Sequence, residues 1–473
     1  MTARDLVTAR VAKQARRFPD FDLGPLDTGG LDRRDAALAR AIDHAIARRW
    51  LTLVAVAESQ LDRGWVSLEP KVQAALLVGA AQLLLLERLP DHAVIHEAVE
   101  WAKANVRPKA GGLVNAVLRR VARLRQGIVD RGHALDGGGL SPYAADELPL
   151  HDGRAWRLSE AVFDRDANPL GRLARQTSHP EALLSTWVDQ FGERQAARLA
   201  AHSLVHPPII VTGLGPALLE AASAGAGRAS RGPSGGPKPQ APSLLPDGGA
   251  HDEPGFRIFG GDHDDLLGLL RRTSARVQDP ATAAPVEATR RLEPALRLVI
   301  DVCAGKGTKT RQLAEVHPGA RVIATDIDSA RLATLREVFA DHDRVEVVEY
   351  GELRPRFDNR ADLLVLDVPC SNTGVLARRV EAKYRFDATS LSSVVGLGRQ
   401  IIADSIPLLA DAGRLLYATC SLQAEENDRQ AEWIARWHRM RVVSSDLRLP
   451  RGRPGGPPRH YADGGYFACL TRA

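Results

Sequence analysis

Hydrophobic residues in the first part of the chain recur at the spacing of an α-helix. Residues 71–89 are apolar almost all round, which is typical of a helix buried in a core. Residues 35–60 carry a single apolar face instead, built from Leu38, Ile42, Ile46, Leu51 and Val54. The same periodicity predicts helices over residues 4–18, 92–105 and 112–124. We therefore predict an all-α domain over residues 1–127.

Periodicity weakens beyond this domain. Residues 128–175 contain a glycine run at 137–139 and are predicted to be a linker. Residues 176–280 open on a helical stretch at 179–202 and a short β run at 209–211, which predicts a small α+β bridging subdomain. Within it, the Gly-, Pro- and Ser-rich stretch near 213–255 buries too little apolar surface to offset its ordering entropy, so we predict a disordered insertion there.

The last part of the chain, residues 281–473, alternates between short apolar runs and helical stretches. Strands are predicted at 298–302, 321–325, 345–348, 363–366, 414–418 and 465–471, with helices between most of them. This alternation predicts an α/β Rossmann-like domain with a parallel sheet and helices on both faces. Ligands of such sheets bind beyond the carboxyl ends of the strands. Asp301, Asp326, Asp367 and Cys420 all lie near predicted strand ends.

A turn of small residues joins the first predicted strand of this domain to a helix, over residues 301–310. Small residues let the backbone approach a ligand, and the helix N-terminus offers free N–H groups. The spacing of a Walker A phosphate loop is absent. Asp326, at the end of the second strand, can accept both hydroxyls of a ribose. Together these features favour an adenosine-containing cofactor, either a dinucleotide or S-adenosylmethionine.

Two cysteines follow predicted strands, one in Asp367-Val-Pro-Cys370 and one in Thr419-Cys420-Ser421. A thiolate is a strong nucleophile, and a nearby cation or helix N-terminus lowers the pKa of its thiol. A single cysteine of this kind is more often a small buried residue. Two at the same predicted sheet edge favour chemistry over packing.

Charge and cysteine spacing narrow the class of protein. Residues 1–125 hold 16 Arg and 4 Lys against 9 Asp and 5 Glu, a net charge of +6, whereas the whole chain carries +5. A phosphate-facing surface and ordinary solvated helix faces both fit this excess of positive charge.

None of the four cysteines forms a CxxC pair, so we expect no metal site, no disulfide framework and a location in a reducing cytoplasm. No apolar run reaches the roughly 20 residues of a membrane span, so we expect no membrane attachment.

Four segments carry a family resemblance: DVCAGKGTKT, ATDIDSARL, LLVLDVPCSNTGVL and LLYATCSLQAEEND. In this order they resemble the motifs of the RsmB/Sun family of RNA 5-methylcytosine methyltransferases. The segments VGAAQLLLLERLPDHAVIHEAVEWAK and GGLVNAVLRRV resemble that family's N-terminal NusB-like domain, and SHPEALLSTWVDQFGERQAARLA resembles its connecting RNA-binding part. The resemblance implies a class I methyltransferase that uses S-adenosylmethionine to methylate C5 of a cytosine in RNA, with 16S rRNA as the expected partner.

The resemblance also implies roles for individual residues. Cys420 is expected to add to C6 of the cytosine, Cys370 to assist release of the methylated base, and Asp367 to bind near the base edge and the methyl donor. Asp326 matches the ribose-binding acid, and Glu352 stands where the family usually has an aspartate on the adenine side. The first motif is expected to hold the cofactor through Cys303, Ala304, Gly305, Lys306, Gly307, Thr308 and Lys309.

Two departures from the family pattern are visible in the sequence. Lys306 replaces the usual proline of the first motif, which places an extra cation near a cationic donor unless its side chain points to solvent. The Arg-Val-Asn run of the bridging part is here Ile210-Val211-Thr212, which weakens the case for RNA contacts in that part.

Three functions remain in view at this point: an rRNA cytosine-C5 methyltransferase, expected to act as a monomer; a catalytically weak or inactive RNA-binding ribosome-assembly protein on the same scaffold; and a nicotinamide-dependent oxidoreductase. The oxidoreductase needs a GxGxxG turn, which this sequence lacks. It also assigns no role to the two cysteines.

Overall fold

The chain folds into two compact units. The computed structural model describes residues 2–21, 24–87, 89–164, 168–215 and 247–473. The unit that we call the helical unit comprises Met1–His206, Leu376–Ser390 and Arg453–Gly456. The unit that we call the sheet unit comprises Pro207–Val375, Leu391–Gly452 and Pro457–Ala473.

The helical unit begins with five helices, which confirms the predicted all-α N-terminal domain. They are α1 (Ala3–Arg17), α2 (Arg33–Ser59), α3 (Pro70–Leu85), α4 (Asp91–Asn105) and α5 (Ala110–Leu124). Helix α3 has Pro70 at its first turn and is buried on every face from Val72 to Leu84, as its all-round apolar pattern predicts. Helix α1 starts with a capping box, in which Thr2 accepts from the Asp5 backbone N–H and Asp5 accepts from that of Thr2.

Helix α2 is kinked at Arg49, where φ is −122° and ψ is 24°. The kink leaves backbone groups of the helix without their usual partners within it, and side chains from elsewhere in the helical unit replace those partners. The Tyr384 hydroxyl donates to the Ala47 carbonyl at 2.9 Å and accepts from the Trp50 N–H at 3.1 Å. Lys383 Nζ donates to the Arg48 carbonyl at 2.9 Å.

Residues 128–164 and 168–175, within the stretch predicted to be a linker, are a structured part of the helical unit. Three short strands pair antiparallel in the order β1-β3-β2: β1 (Arg125–Asp130), β2 (Glu147–Pro149) and β3 (Arg154–Leu158). Leu148, Leu158 and Phe163 join the same core as the five helices. The linker prediction was therefore wrong for this stretch, because strands of three to six residues offer too few alternating positions for a periodic signal.

The stretch predicted as one bridging subdomain, 176–280, divides between the two units. Helices α6 (Pro169–Thr177), α7 (Glu181–Phe191) and α8 (Glu193–His202) belong to the helical unit. The remainder forms a four-stranded antiparallel sheet in the sheet unit, with helix α9 (His263–Arg272) and strands in the order β5-β6-β4-β7: β4 (Ile210–Thr212), β5 (Asp247–Ala250), β6 (Arg257–Phe259) and β7 (Arg276–Val277). Most of the predicted disordered insertion, residues 216–246, lies outside the described residues.

A seven-stranded sheet is the centre of the sheet unit, with the strand order β10-β9-β8-β11-β12-β14-β13. Its strands are β8 (Leu298–Asp301), β9 (Arg321–Ala324), β10 (Val345–Val347), β11 (Ala361–Asp367), β12 (Leu409–Thr419), β13 (Met440–Arg448) and β14 (Gly465–Arg472). The first five run parallel, as predicted, whereas β14 is antiparallel to β12 and β13 is antiparallel to β14. The sheet is therefore mixed, and β13, which the hydrophobic pattern does not predict, is an edge strand in which only Met440 is buried.

Six helices of the described residues accompany the strands of this sheet. They are α10 (Pro280–Ala288), α11 (Thr308–Val316), α12 (Ser329–Val338), α13 (Leu353–Phe357), α14 (Ala388–Ser405) and α15 (Asp428–Trp437). Apolar side chains pack on both faces of the strands: Ile300, Leu364 and Leu366 in one cluster, Val299, Leu363 and Val365 in the other. Among the described residues, no helix combines the length and the apolar character needed to cross a bilayer.

Candidate active site

Two cysteine thiols meet at the carboxyl edge of the central sheet. Cys370 follows β11 and Cys420 follows β12, and these strands are parallel neighbours with Asp367 level with Ala418. The two Sγ atoms are 3.2 Å apart, and both side chains are half-buried. Neighbouring parallel strands end at the same edge of a sheet. The structure therefore brings these two loops together, as predicted. The chemical roles of the two thiols stay predictions.

The polar surroundings of the two thiols differ. The Cys420 thiol donates to Asn372 Oδ1 at 3.1 Å, so Cys370 is the donor in the contact between the sulfurs. Asn372 adopts a left-handed backbone conformation with φ of 60°, and its amide donates to the Cys370 carbonyl. The hydrogen bond with Cys420, together with burial, raises the pKa of the Cys370 thiol well above its usual value. Cys370 is therefore held protonated beside Cys420.

Asp367 and Lys309 form an ion pair next to these loops. Lys309 Nζ donates to Asp367 Oδ2 at 2.7 Å. Burial alone lowers the pKa of Lys309, but the charge and hydrogen bond of Asp367 outweigh it and raise that pKa overall. Lys309, predicted among the cofactor residues, thus has its ammonium on the carboxylate at the end of β11.

The predicted cofactor turn joins β8 to α11 and is shaped by two glycines. Gly305 and Gly307 have positive φ values of 59° and 85°, which residues other than glycine rarely adopt. A Cβ on Gly305 would meet nothing within 4 Å, so the space beside this residue is open. A Cβ on Gly307 would lie 2.5 Å from the ring of Phe339, so only glycine fits there.

The other members of the turn differ in exposure. Ala304 is buried and Cys303 is half-buried, and burial raises the pKa of the Cys303 thiol. Lys306 and Thr308 are exposed. Because the Lys306 side chain faces solvent, the substitution of the family's usual proline does not bury an extra cation in the turn.

Asp326 lies against the same turn. Its Oδ2 accepts from the Gly305 N–H at 2.9 Å, and its Oδ1 accepts from the Asp328 N–H at 3.0 Å. The Arg331 guanidinium lies 3.7 Å from Oδ2, beyond hydrogen-bond distance. A carboxylate has about four lone-pair sites, so two remain beside the two hydrogen bonds. Asp326 therefore combines contact with the turn with the capacity to accept two hydroxyls.

Asp301, at the end of β8, is enclosed beneath the turn. Its Oδ2 accepts from the Thr310 hydroxyl at 2.7 Å. Burial raises the pKa of Asp301 to about 7, against which the hydrogen bond from Thr310 acts only partly.

Glu352, predicted on the adenine side of the cofactor, lies in the turn after β10. It is exposed, and its carboxylate pairs with Arg356 at 3.0 Å. Tyr350, two residues earlier, packs in the apolar cluster that includes Cys303. The role of Glu352 toward the adenine stays a prediction.

Comparison with known families accounts for both ends of the chain. Residues 291–468 match the family described as 16S rRNA methyltransferase RsmB/F, and residues 6–123 match the NusB family. The C-terminal part of the chain is therefore similar to the RsmB/F methyltransferases, and its N-terminal part is similar to the NusB family. This confirms the family resemblance that the cysteine loops indicate, and S-adenosylmethionine as the cofactor.

Individual relatives match along most of the length of the chain. Ribosomal RNA small subunit methyltransferase B of Vibrio cholerae is 27% identical over 99% of this chain and 98% of its own. The probable ribosomal RNA small subunit methyltransferase B of Bacillus subtilis is 26% identical over 85% of this chain and 83% of its own. The solved structure of PH0851 is similar in fold, with a TM-score of 0.65 and 16% identity, over 100% of this chain and 99% of that one.

The sequence pattern does not single out some residues of this site. Glu426 is buried between the two cysteine loops, and Asn372 contacts both cysteines. Glu426 is one of two adjacent glutamates, and a spacing argument cannot tell which of the two is enclosed. Across the described ranges, no group of three or more His, Cys, Asp or Glu side chains is arranged to hold a metal ion.

Proposed function

We propose that this chain transfers a methyl group from S-adenosylmethionine to C5 of a cytosine in 16S rRNA through a covalent adduct with Cys420. The observation that carries the proposal is the pair of thiols 3.2 Å apart at the end of two neighbouring parallel strands, beside the Asp367–Lys309 ion pair. The names of the relatives, small subunit rRNA methyltransferases, support rRNA as the substrate.

The first turn and Asp326 suit the cofactor. The open space beside Gly305 and the free acceptor capacity of Asp326 fit an adenosine with two ribose hydroxyls. The backbone of Cys303 to Lys309 and the Asp326 carboxylate would hold it. When bound, S-adenosylmethionine supplies an electrophilic methyl group. The exposed Glu352 is a weaker partner for the adenine in this arrangement.

Cys420 is the nucleophile in this proposal. C5 of cytosine is a poor nucleophile, and addition of a thiolate at C6 turns the ring into an enamine whose C5 can attack a methyl group. The Cys420 thiol must lose its proton first, and the protonated Cys370 beside it can donate a hydrogen bond to the resulting thiolate. The cytosine must leave its base stack to reach the two loops.

Asp367 and Cys370 complete the reaction. The Asp367 carboxylate, held by Lys309, is oriented to hydrogen-bond the edge of the activated base. After transfer, the proton on C5 passes to water, its electron pair re-forms the C5–C6 double bond, and the bond between C6 and the Cys420 sulfur breaks. Cys370 assists this release by donating a hydrogen bond to the departing Cys420 thiolate. We also propose that the protein acts as a monomer in the cytoplasm, where ribosomes are assembled.

Bisulfite sequencing of rRNA tests this function. A strain that lacks the gene is expected to lose one 5-methylcytosine signal in 16S rRNA, and the wild-type gene, but not Cys420→Ala, is expected to restore it. An unchanged 16S rRNA signal in the deletion strain would remove this substrate. Calorimetry with S-adenosylmethionine separates the enzyme from a non-catalytic assembly protein, which is expected to give no binding heat.

A further inference from the structure

Glu426 connects the two cysteine loops. Its Oε1 accepts from the Ser371 backbone N–H at 2.7 Å, and its Oε2 accepts from the Ser371 hydroxyl at 2.5 Å. The Ser421 hydroxyl donates to the same Oε2. Ser371 immediately follows Cys370, and Ser421 immediately follows Cys420. One carboxylate therefore binds the residue next to each thiol.

Further contacts join the two cysteine loops. The Ser371 and Ser421 hydroxyls are 3.0 Å apart, close to the 3.2 Å between the two sulfurs. The Gly374 N–H donates to the Cys420 carbonyl at 2.9 Å. The two Cys-Ser pairs thus run side by side, with sulfurs adjacent at one position and hydroxyls adjacent at the next.

Enclosing this carboxylate costs free energy that a merely structural residue would avoid. Glu426 is 3% exposed, and no cation among the described residues forms an ion pair with it. Burial of an ionised group is unfavourable unless hydrogen bonds compensate it. An apolar side chain would fill the same space at a lower cost, but it would leave the Ser371 N–H and both hydroxyls without this acceptor.

We propose that Glu426 is a positioning residue that sets the spacing of the Cys370 and Cys420 thiols by binding Ser371 and Ser421. The proposal rests on the proposed function, because it assigns the spacing a purpose in attack and release. The hydrogen bonds of Glu426 go to the two serines and not to the sulfurs, so its effect on the spacing of the thiols passes through the serines.

The spacing is measured directly with phenylarsine oxide, which condenses with two adjacent thiols and releases one water. In the presence of excess 2-mercaptoethanol, single thiols do not retain the reagent. Intact mass spectrometry of the full-length wild-type protein is expected to show one bound phenylarsenic group, and Cys370→Ser is expected to show none. Glu426→Ala is expected to lose this capture, whereas Glu426→Gln, whose amide oxygen and NH₂ can bind the same groups, is expected to keep it.

Turnover gives the second readout. Glu426→Ala is expected to lower kcat by about 10²-fold, the scale on which a misplacement of about 1 Å acts, with the KM for S-adenosylmethionine unchanged. Glu426→Gln is expected to retain most of kcat. Glu425→Gln is the matched control: this neighbouring carboxylate pairs with Arg429, and its loss is expected to change neither capture nor turnover.

Capture that survives in Glu426→Ala would overturn the proposal, as would equal losses of kcat in the Gln and Ala variants with capture intact. If Glu426→Ala does not fold, Ser421→Ala removes one hydroxyl from the same carboxylate and is expected to reduce capture; unchanged capture in that variant would also overturn the proposal. A wild-type protein that methylates no RNA but captures the reagent through Glu426 would reject the proposed function and leave the thiol spacing explained.

Discussion

Two enclosed cations of the helical unit and two enclosed carboxylates of the sheet unit have different kinds of partner. Lys383 and Arg49, in the helical unit, donate to backbone carbonyls of α2 and of neighbouring segments. Glu426 and Asp301, in the sheet unit, accept from hydroxyl and backbone donors at the ends of strands. Burial lowers the pKa of Lys383 and raises the pKa values of the two acids.

The difference separates two uses of a buried polar group. Lys383 satisfies the Arg48 carbonyl at the kink of α2, and both cations satisfy carbonyls of neighbouring segments, so their benefit is the stability of that region. A carboxylate that accepts hydrogen bonds from two separate loops aligns those loops. Here the residue that precedes the serine in each loop is a cysteine. We therefore expect changes in the helical unit to act on unfolding and changes in the sheet unit to act on chemistry.

The largest effect is expected at Cys420. In Cys420→Ala, methylation is expected to fall by about 10³-fold or more, because no other group replaces the nucleophile. Binding of S-adenosylmethionine, followed by calorimetry, is expected to survive, since the proposed cofactor residues are unchanged. Near-normal turnover in this variant would exclude Cys420 as the nucleophile.

Cys370→Ala is expected to arrest the reaction at a later step. Addition by Cys420 still occurs, but release of the methylated base is slow, so a covalent protein–RNA adduct accumulates. A denaturing gel after incubation with cofactor and substrate RNA detects it as a slowly migrating band. The double variant with Cys420→Ala is the control and is expected to give no band; intact turnover without an adduct in the single variant would contradict the release role.

Asp301 tests whether an enclosed acid in the sheet unit reduces stability at neutral pH. Its pKa is about 7 in the folded protein and 3.8 as the reference for the unfolded chain. Between these values the folded state holds the extra proton, so its contribution to the free energy of unfolding falls as pH rises, by on the order of 1 kcal/mol per pH unit. Asp301→Asn does not titrate. Urea unfolding at pH 5 and pH 8 is therefore expected to show the variant gaining on the wild type at the higher pH, and a constant difference would refute this.

Tyr384 tests the helical unit. Tyr384→Phe keeps the ring but removes the hydroxyl that serves Ala47, Trp50 and Ser178 around the kink. Groups left unpaired in a buried site cost about 1–3 kcal/mol, so the free energy of unfolding is expected to fall by that amount. Affinity for S-adenosylmethionine is expected to stay the same. A stable variant with impaired cofactor binding would break the division of roles between the units.

The smallest effect is expected on the surface of the NusB domain. Arg119 and Arg123 are exposed on α5. If this face binds rRNA phosphates, Arg119→Gln with Arg123→Gln is expected to make the salt dependence of RNA affinity shallower by up to about 2 in log–log slope. Replacing both by Lys keeps the charge and is the matched control. Equal slopes in the Gln pair and the wild type would assign the excess charge to ordinary solvation.

The outcome of the sequence predictions follows the length of each element. Long periodic helices such as α2 and α3 are confirmed, because many turns repeat the same signal. The short strands β1 to β3 are not predicted, because pairing between distant segments, and not a local hydrophobic pattern, makes them strands. Glu352 matches a family position by sequence order alone, and its longer side chain finds Arg356 on its own helical turn.

The sequence alone determines the order of the domains, the parallel strands and the loops that carry Asp326, Asp367, Cys370 and Cys420, because each of these depends on local periodicity or on a short motif. Only the tertiary structure decides which of Glu425 and Glu426 is enclosed, that Lys309 pairs with Asp367, and that Lys383 enters the kink of α2. These contacts join residues 58 to 335 positions apart or depend on which side chain faces inward, and no local pattern encodes them.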